Sequence, residues 1–475
     1  MNQFVERIAD NLKQQRVDYG DVRVVIRESE SIILKNGIIE AITHSSDAGF
    51  GIRVLKNSAW GFASSNEIEK SVGDQILRSA LRIARASARV KAKDIELTPL
   101  QPQRGSYHTE VKTDPMKVPL GDKIDLLLSC DKMMRKHKQV KLSEASLRFY
   151  KTTVHFGSTE GSFLNQDFVY SGGKIMVYAM DKGELQSRSY GNYGQMGYEF
   201  IEELDFTAHA SRIADEAMML LEAEQCPEQL ATIILDPHQM VLQVHESCGH
   251  PTELDRVLGT EASYAGTSFM TTDKLNKLKY GSDIVNIVAD ATVPSGLGTF
   301  GWDDEAVPGQ RVHLIKNGMF VGYLSSRETA GIVNSRSSGA MRADGWNRIP
   351  LIRMTNINLE PGDWKHEDMI EDTDDGVFME TNKSWSIDDK RLNFQFGCEF
   401  ARKIEKGKFT KVYKNPTYGG ITPQFWNNCD AIGNKDSWRM GGTPNCGKGE
   451  PGQVMFVGHG TAPARFRNVQ IGIAK

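Results

Sequence analysis

Apolar residues in this chain never run unbroken for long: stretches such as residues 217–221 reach only about five positions, against the roughly 20 that a membrane-spanning helix needs. Hydrophobic burial must therefore come from amphipathic helices and alternating strands, and a soluble protein is expected. At about 150 residues per domain, 475 residues make two or three domains. Charge is close to balance, 57 Lys+Arg against 61 Asp+Glu, with no basic stripe, so direct nucleic-acid binding is not expected. The first apolar residues, Phe4, Val5, Ile8 and Leu12, recur at helical spacing with Glu6 and Arg7 among them. That pattern predicts a surface helix rather than a signal core, and a cytoplasmic protein. None of the six cysteines forms a C-x-x-C pair, which argues against a disulfide framework or a zinc ribbon and leaves single ligands or nucleophiles.

Residues 22–27 and 31–34 read as strands, the second turning through Asn36-Gly37 into Ile38-Ile39. Gly49, Gly51 and Gly61 punctuate two more, at 52–55 and 60–63. Val72, Ile76, Leu77, Ala80, Ile83 and Ala84 then recur at three and four residues, the mark of a helix covering this meander. Four prolines in 98–119 predict an extended connector. Beyond it lie a helix with Ile124, Leu127 and Leu128 on one face, alternating strands at Leu147/Phe149, Val154/Phe156 and Phe168/Tyr170 with turns at Gly157 and Gly161, and a helix over 204–224. The expected fold is α+β. Residues 1–225 form an N-terminal domain, an antiparallel sheet packed with helices and divisible at 98–119, and 226–475 form a β-rich C-terminal domain carrying the metal-binding helix.

That helix begins at Asp236-Pro237, an N-cap followed by proline at the first helical position. It carries the densest chemistry in the chain, His245-Glu246-Ser247-Cys248-Gly249-His250. Two imidazoles flanking a glutamate suit a metal-assisted hydrolase, the ion binding the rings and Glu246 taking a proton from activated water. Spacing is the obstacle, because residues five apart on an α-helix point about 140° from each other. Gly249 relaxes the backbone and Pro251 has no N–H for the carbonyl of Ser247, so a π-bulge at Cys248-Gly249 would bring the rings together. A catalytic zinc also needs a third protein ligand. Cys248, Glu253, Asp255, Cys446 and His459 are the candidates, and spacing does not choose among them. Cys446 stands in a Gly-rich turn two residues before Lys448, a setting that favours a thiolate.

Five segments together resemble the TldD/PmbA family of metallopeptidases, on the TldD side. They are Asp47-Ala48-Gly49-Phe50-Gly51-Ile52-Arg53-Val54-Leu55 with Gly61-Phe62-Ala63-Ser64-Ser65, the string from His245 to His250, Trp302-Asp303-Asp304-Glu305-Ala306, Arg353-Met354-Thr355-Asn356, and Cys446-Gly447-Lys448. The resemblance implies Zn²⁺ held by His245, His250 and Cys446, with Glu246 as the catalytic base. It also implies peptide substrates and a homodimer, or a heterodimer with a TldE/PmbA-like partner lacking the His-Glu pattern. Ser247 and Cys248 depart from the small residues usual between the two histidines, and Ala306 stands where glycine is expected.

The acidic run 303–305 reads as a solvated turn, Lys448, Arg353 and Arg327 as salt-bridge formers, and Gln424-Phe425-Trp426 as core. The leading functional reading is a zinc-dependent peptidase acting on short or unfolded peptides. The alternatives are a non-catalytic peptide-binding subunit, the sense of the older family name of DNA gyrase modulator, and hydrolysis of a non-peptide amide.

Overall fold

The computed structural model describes residues 1–449 and 452–473. Strand β1 (Tyr19–Lys35) is continuous where two pieces are expected. The polar residues that suggest a break include Glu30, which is buried against Lys123 and takes a bond from His44 at 2.7 Å. β1 pairs antiparallel with β2 (Ile38–Lys56) through a tight turn at Asn36 (φ 49°) and Gly37 (φ 75°), the left-handed pair that such a hairpin requires. Gly49 lies within β2 rather than punctuating it, and a Cβ there would stand 2.4 Å from the Trp346 ring. β3 (Ala59–Ser65) continues the meander. On the other side of β1 the sheet runs through β5 (Val140–Ser158), β6 (Phe163–Asp181) and β7 (Glu184–Gly194). The connector at 98–119 is not structureless, because its proline-free stretch forms β4 (Arg104–His108), parallel to β6.

Period-two alternation gives this sheet two different faces. Val22, Val24, Ile32 and Leu34 of β1 share one face. Helices α1 (Asn2–Gln14) and α2 (Lys70–Ser87) cover its first half, and α3 (Leu120–Met134) and α5 (Phe206–Glu222) its second. Two residues placed on the apolar helix faces are exposed, Ile83 at 42% and Leu128 at 38%. The helix expected over 204–224 is α5, which starts at Phe206 because Asp205 turns left-handed between it and α4 (Glu199–Leu204) and accepts a bond from the Ala208 amide. The intervening β1 residues Arg23, Val25 and Arg27 face the C-terminal half instead.

There, strands Gln229–Leu235, Ala464–Ile473, Pro416–Ile421, Asn393–Glu405 and Asp375–Ile387 pair in sequence, and the last closes on the first as a barrel. Closure removes the exposed edges that open sheets carry. Phe425 and Trp426 lie in its core, as expected. The fold is thus α+β, an antiparallel N-terminal sheet with helices followed by a β-rich region. Among the described residues no helix is long and apolar enough to cross a membrane.

The acidic run is not a solvated turn. Asp303 and Glu305 are buried, the first accepting backbone bonds from Glu305, Val307 and Met341, the second pairing with Arg53 at 3.4 Å. Asp304 meets Arg23 at 2.9 Å. Partners some 250 residues away in sequence neutralise what looks locally like a solvent-facing string. Ala306 adopts φ 63°, which explains why glycine suits this position.

Candidate metal centre

Helix α6 (Pro237–Val244) leaves the barrel strand Gln229–Leu235, with the Asp236 carboxylate accepting from the Gln239 amide at 2.9 Å. It then widens into a π-turn over His245–Gly249, where the His250 amide bonds the His245 carbonyl. This i→i+5 bond brings His250 back over His245 and removes the angular obstacle of an ordinary helix. The sequence supports the turn at each step. A Cβ on Gly249 would stand 2.3 Å from the Met354 sulfur. The Ser247 carbonyl, which Pro251 cannot serve, accepts the Tyr280 hydroxyl at 2.9 Å. Thr252 donates to the carbonyls of Cys248 and Gly249.

The two ring centroids are 4.8 Å apart. Cys446 arrives on a separate hairpin, Arg439–Lys448 with Gln453–Thr461. Its Sγ lies 3.5 Å from His245 Nε2 and 3.7 Å from His250 Nε2. A tetrahedral site with Zn–S of about 2.3 Å and Zn–N of about 2.0–2.1 Å has N···S edges of about 3.5 Å, which the two sulfur–nitrogen distances match. All three residues are buried.

Protonation states agree with that use. His459 Nδ1 donates to the Ile357 carbonyl at 3.2 Å, so its Nε2 accepts from His245 Nδ1 at 2.8 Å. His250 Nδ1 donates to Glu253 at 2.9 Å. Each ligand candidate therefore turns the bare Nε2 toward the thiol. Burial lowers the pKa of both histidines and keeps them neutral. For Cys446 burial works upward, but His250 and Arg353 outweigh it and bring the thiol below its ordinary value.

The remaining third-ligand candidates stand elsewhere. His459 and Glu253 support the rings from behind. Asp255 pairs with Lys448 at 2.8 Å. Cys248 is fully buried, its thiol pushed up by burial. Lys448, Arg353 and Arg327 are buried structural groups rather than surface ones. Lys448 contacts Glu253, Asp255 and Glu261 at 2.8–3.4 Å, Arg353 bonds the carbonyls of Cys446 and Gln453, and Arg327 pairs with Glu160 at 2.7 Å. Against Glu253, burial acts upward but Lys448, His250 and Arg256 prevail and hold its carboxyl well below the usual range.

Glu246 is nearly enclosed, its Oε2 paired with Arg391 Nη1 at 2.7 Å. Sequence reasoning misses Arg391, which lies 145 residues away in a polar turn that looks like any other surface loop.

Three family models match the chain: domain 1 of the PmbA/TldA metallopeptidases over residues 20–88, their central domain over 113–221 and their C-terminal domain over 228–472. A metalloprotease of Methanocaldococcus jannaschii is 31% identical over 93% of this chain and 94% of its own. The metalloprotease TldD homolog of Buchnera aphidicola subsp. Schizaphis graminum is 27% identical over 96% and 93%. The zinc metalloprotease TldD homolog of Saccharolobus solfataricus is 23% identical over 91% of each chain. Among solved structures, TldE of Thermococcus kodakarensis superposes with a TM-score of 0.75 at 17% identity, covering 99% of this chain and 100% of that one. A Thermotoga maritima protein designated a candidate modulator of a DNA gyrase gives 0.79 at 17% identity over 99% of each. With family models spanning most of its length and a relative above 30% identity, the chain belongs to the PmbA/TldD family of metallopeptidases.

Proposed function

We propose that this protein is a zinc-dependent peptidase of short or unfolded peptides, with His245, His250 and Cys446 as zinc ligands and Glu246 as general base. The convergence of three buried donor atoms, all within 4.8 Å of one another, carries the reading. The metalloprotease names of the relatives support it. When bound, zinc supplies Lewis acidity, which polarises a carbonyl and acidifies water. Glu246 Oε1 takes the proton and passes it to the departing amine, while Arg391 holds Oε2 and fixes the carboxylate in place. The neutral histidines present lone pairs without first having to lose protons, and the Cys446 thiol, brought below its ordinary value, gives up its proton more readily. Residues 1–225 and 226–475 are taken as the two domains. The working form is a homodimer or a heterodimer with a TldE/PmbA-like subunit, a reading to which the TldE-like fold lends support.

Elemental analysis of the wild type, Cys446→Ala and Glu246→Gln, followed by incubation with a mixed short-peptide pool, tests the proposal. About one zinc per chain is expected, lost in Cys446→Ala and kept in Glu246→Gln. Turnover in Glu246→Gln is expected to fall about 10²–10⁴-fold. Unchanged cleavage by Glu246→Gln, or full zinc in Cys446→Ala, would overturn the assignment.

A further inference from the structure

The helix-free face of the N-terminal sheet roofs a second chamber of 360 Å³ against the C-terminal half, within the range of about 300–1,000 Å³ typical of ligand sites. Alternate positions of β1 and β5, among them Arg27, Arg148 and Tyr150, form one wall, and Arg342 and Phe456 belong to the other. Pro444 and Asn445 border it just before Cys446, so one strand serves both this chamber and the metal centre.

Its cations are unequally matched. Arg23 meets Asp304 at 2.9 Å and Arg27 meets Asp344 at 3.6 Å. Arg342, by contrast, donates only to the carbonyls of Met354 and Phe456, both at 2.8 Å, and has no carboxylate partner among the described residues. Burial, helped by the neighbouring Arg353, outweighs the pull of Tyr170 and Asp304 and brings its pKa down to about 10. Arg148, exposed at the rim of the chamber, also has no ion pair among the described residues. A guanidinium sheltered from water and left without an anion is a ready carboxylate receptor. Beside these cations, Tyr150 and Tyr170 pack edge-on to Phe456 at 5.0 and 4.9 Å, an apolar wall that inorganic anions would not use.

We propose that this chamber binds a carboxylate of a peptide, Arg342 and Arg148 pairing with the anion while the wall of Tyr150, Tyr170 and Phe456 takes the adjoining apolar or aromatic group. Only the identification of the carboxylate as a peptide's rests on the peptidase reading. Full-length Glu246→Gln protein, in which cleavage is suppressed, is titrated by calorimetry with a tripeptide ending in phenylalanine, as the free acid and as the amide. A third arm uses an amidated tripeptide containing glutamate. The free acid is expected to bind at least about tenfold tighter than the amide, and Arg342→Met or Arg148→Ala to erase that difference. Tight binding of the glutamate amide would assign the contact to a side-chain carboxylate rather than the chain end. Equal affinities in all three arms, or a preference that survives both arginine substitutions, would overturn the proposal. Arg148 is exposed and makes no bond among the described residues that its loss could disrupt, so Arg148→Ala keeps the test decisive if Arg342→Met misfolds. Zinc content and wild-type turnover are measured separately, so failure here leaves the metal-site reading standing.

Discussion

His245 and His250, proposed for the same task, have opposite electrostatics behind them. His245 is held by a neutral relay, its Nδ1 bonded to His459, which is bonded in turn to a backbone carbonyl. His250 is held by the Glu253 carboxylate, fixed by Lys448 at 3.4 Å and Arg256 at 3.4 Å, with Asp255 and Glu261 completing the cluster. The neutral relay buries no charge. The ionic one raises the basicity of its ring but stays tolerable only while every charge is paired. The difference shows where the centre is rigid: one β-hairpin delivers Cys446, Lys448 and His459 together. The third donor and a support for each histidine thus travel as a unit.

The strongest way to break this comparison is Lys448→Met. It leaves Asp255 unpaired and Glu253 and Glu261 with Arg256 as their one remaining cation among the described residues, and a stability loss of about 3–5 kcal/mol is expected, measured by urea unfolding of the apoprotein. A loss below about 1 kcal/mol, the scale of an exposed pair, would mean that the cluster is not holding the hairpin. Next in size, Glu253→Gln should weaken metal binding about 100-fold and His459→Gln about tenfold, within the range known for partners of ligating histidines. Chelator competition reads both, and equal losses would dissolve the distinction.

Acid separates the two supports more finely. Burial holds the His459 pKa well below its ordinary value. The unfolded chain therefore gains this proton near pH 6.5 while the folded chain does not, and stability begins to fall as pH drops past that point. The folded Glu253 carboxyl is also depressed, so its contribution is complete above the ordinary carboxylate range and is lost only as pH falls below about 4.5. Unfolding of the apoprotein from pH 8 to 4 should accordingly show a flatter curve for His459→Gln between pH 6.5 and 5, with Glu253→Gln parallel to wild type there. The smallest effect belongs to a control outside the centre. Ala306→Gly, relieving φ 63°, should add about 1 kcal/mol of stability and leave metal affinity unchanged.

Much of the centre was legible because its parts are adjacent in the chain. His245, Glu246 and His250 point to the proposed hydrolytic site by residue type, and their five-residue spacing, with Gly249 and Pro251, announces the π-turn that the backbone adopts. The third donor was not legible in that way. Spacing left Cys248, Glu253, Asp255, Cys446 and His459 level, and family resemblance chose Cys446, the residue whose sulfur the structure brings to 3.5 Å from His245. His459 and Glu253 have ligand chemistry but stand one layer out. Arg391 gave no signal at all, because a cation in a polar turn is indistinguishable from a solvated one until its partner is known. The same blindness hid the burial of Glu305 behind Arg53 and split β1 at Glu30, whose partner Lys123 lies 93 residues on.

What the sequence determined by itself is local: the alternation that gives the N-terminal sheet a helix-covered face and a second face for the C-terminal half, the left-handed turn at Asn36-Gly37, the capped start of α6 and its widened end. These depend on backbone sterics and hydrogen bonds among residues a few positions apart, and every copy of the segment carries them. Only the tertiary structure decided which charges are buried, which histidines face the thiol and which lie behind, and which arginines of the chamber lack a carboxylate. Those outcomes turn on desolvation and pairing between groups such as His250 and Cys446, 196 residues apart. The energy of such a pair exists only once the chain has excluded water from between them.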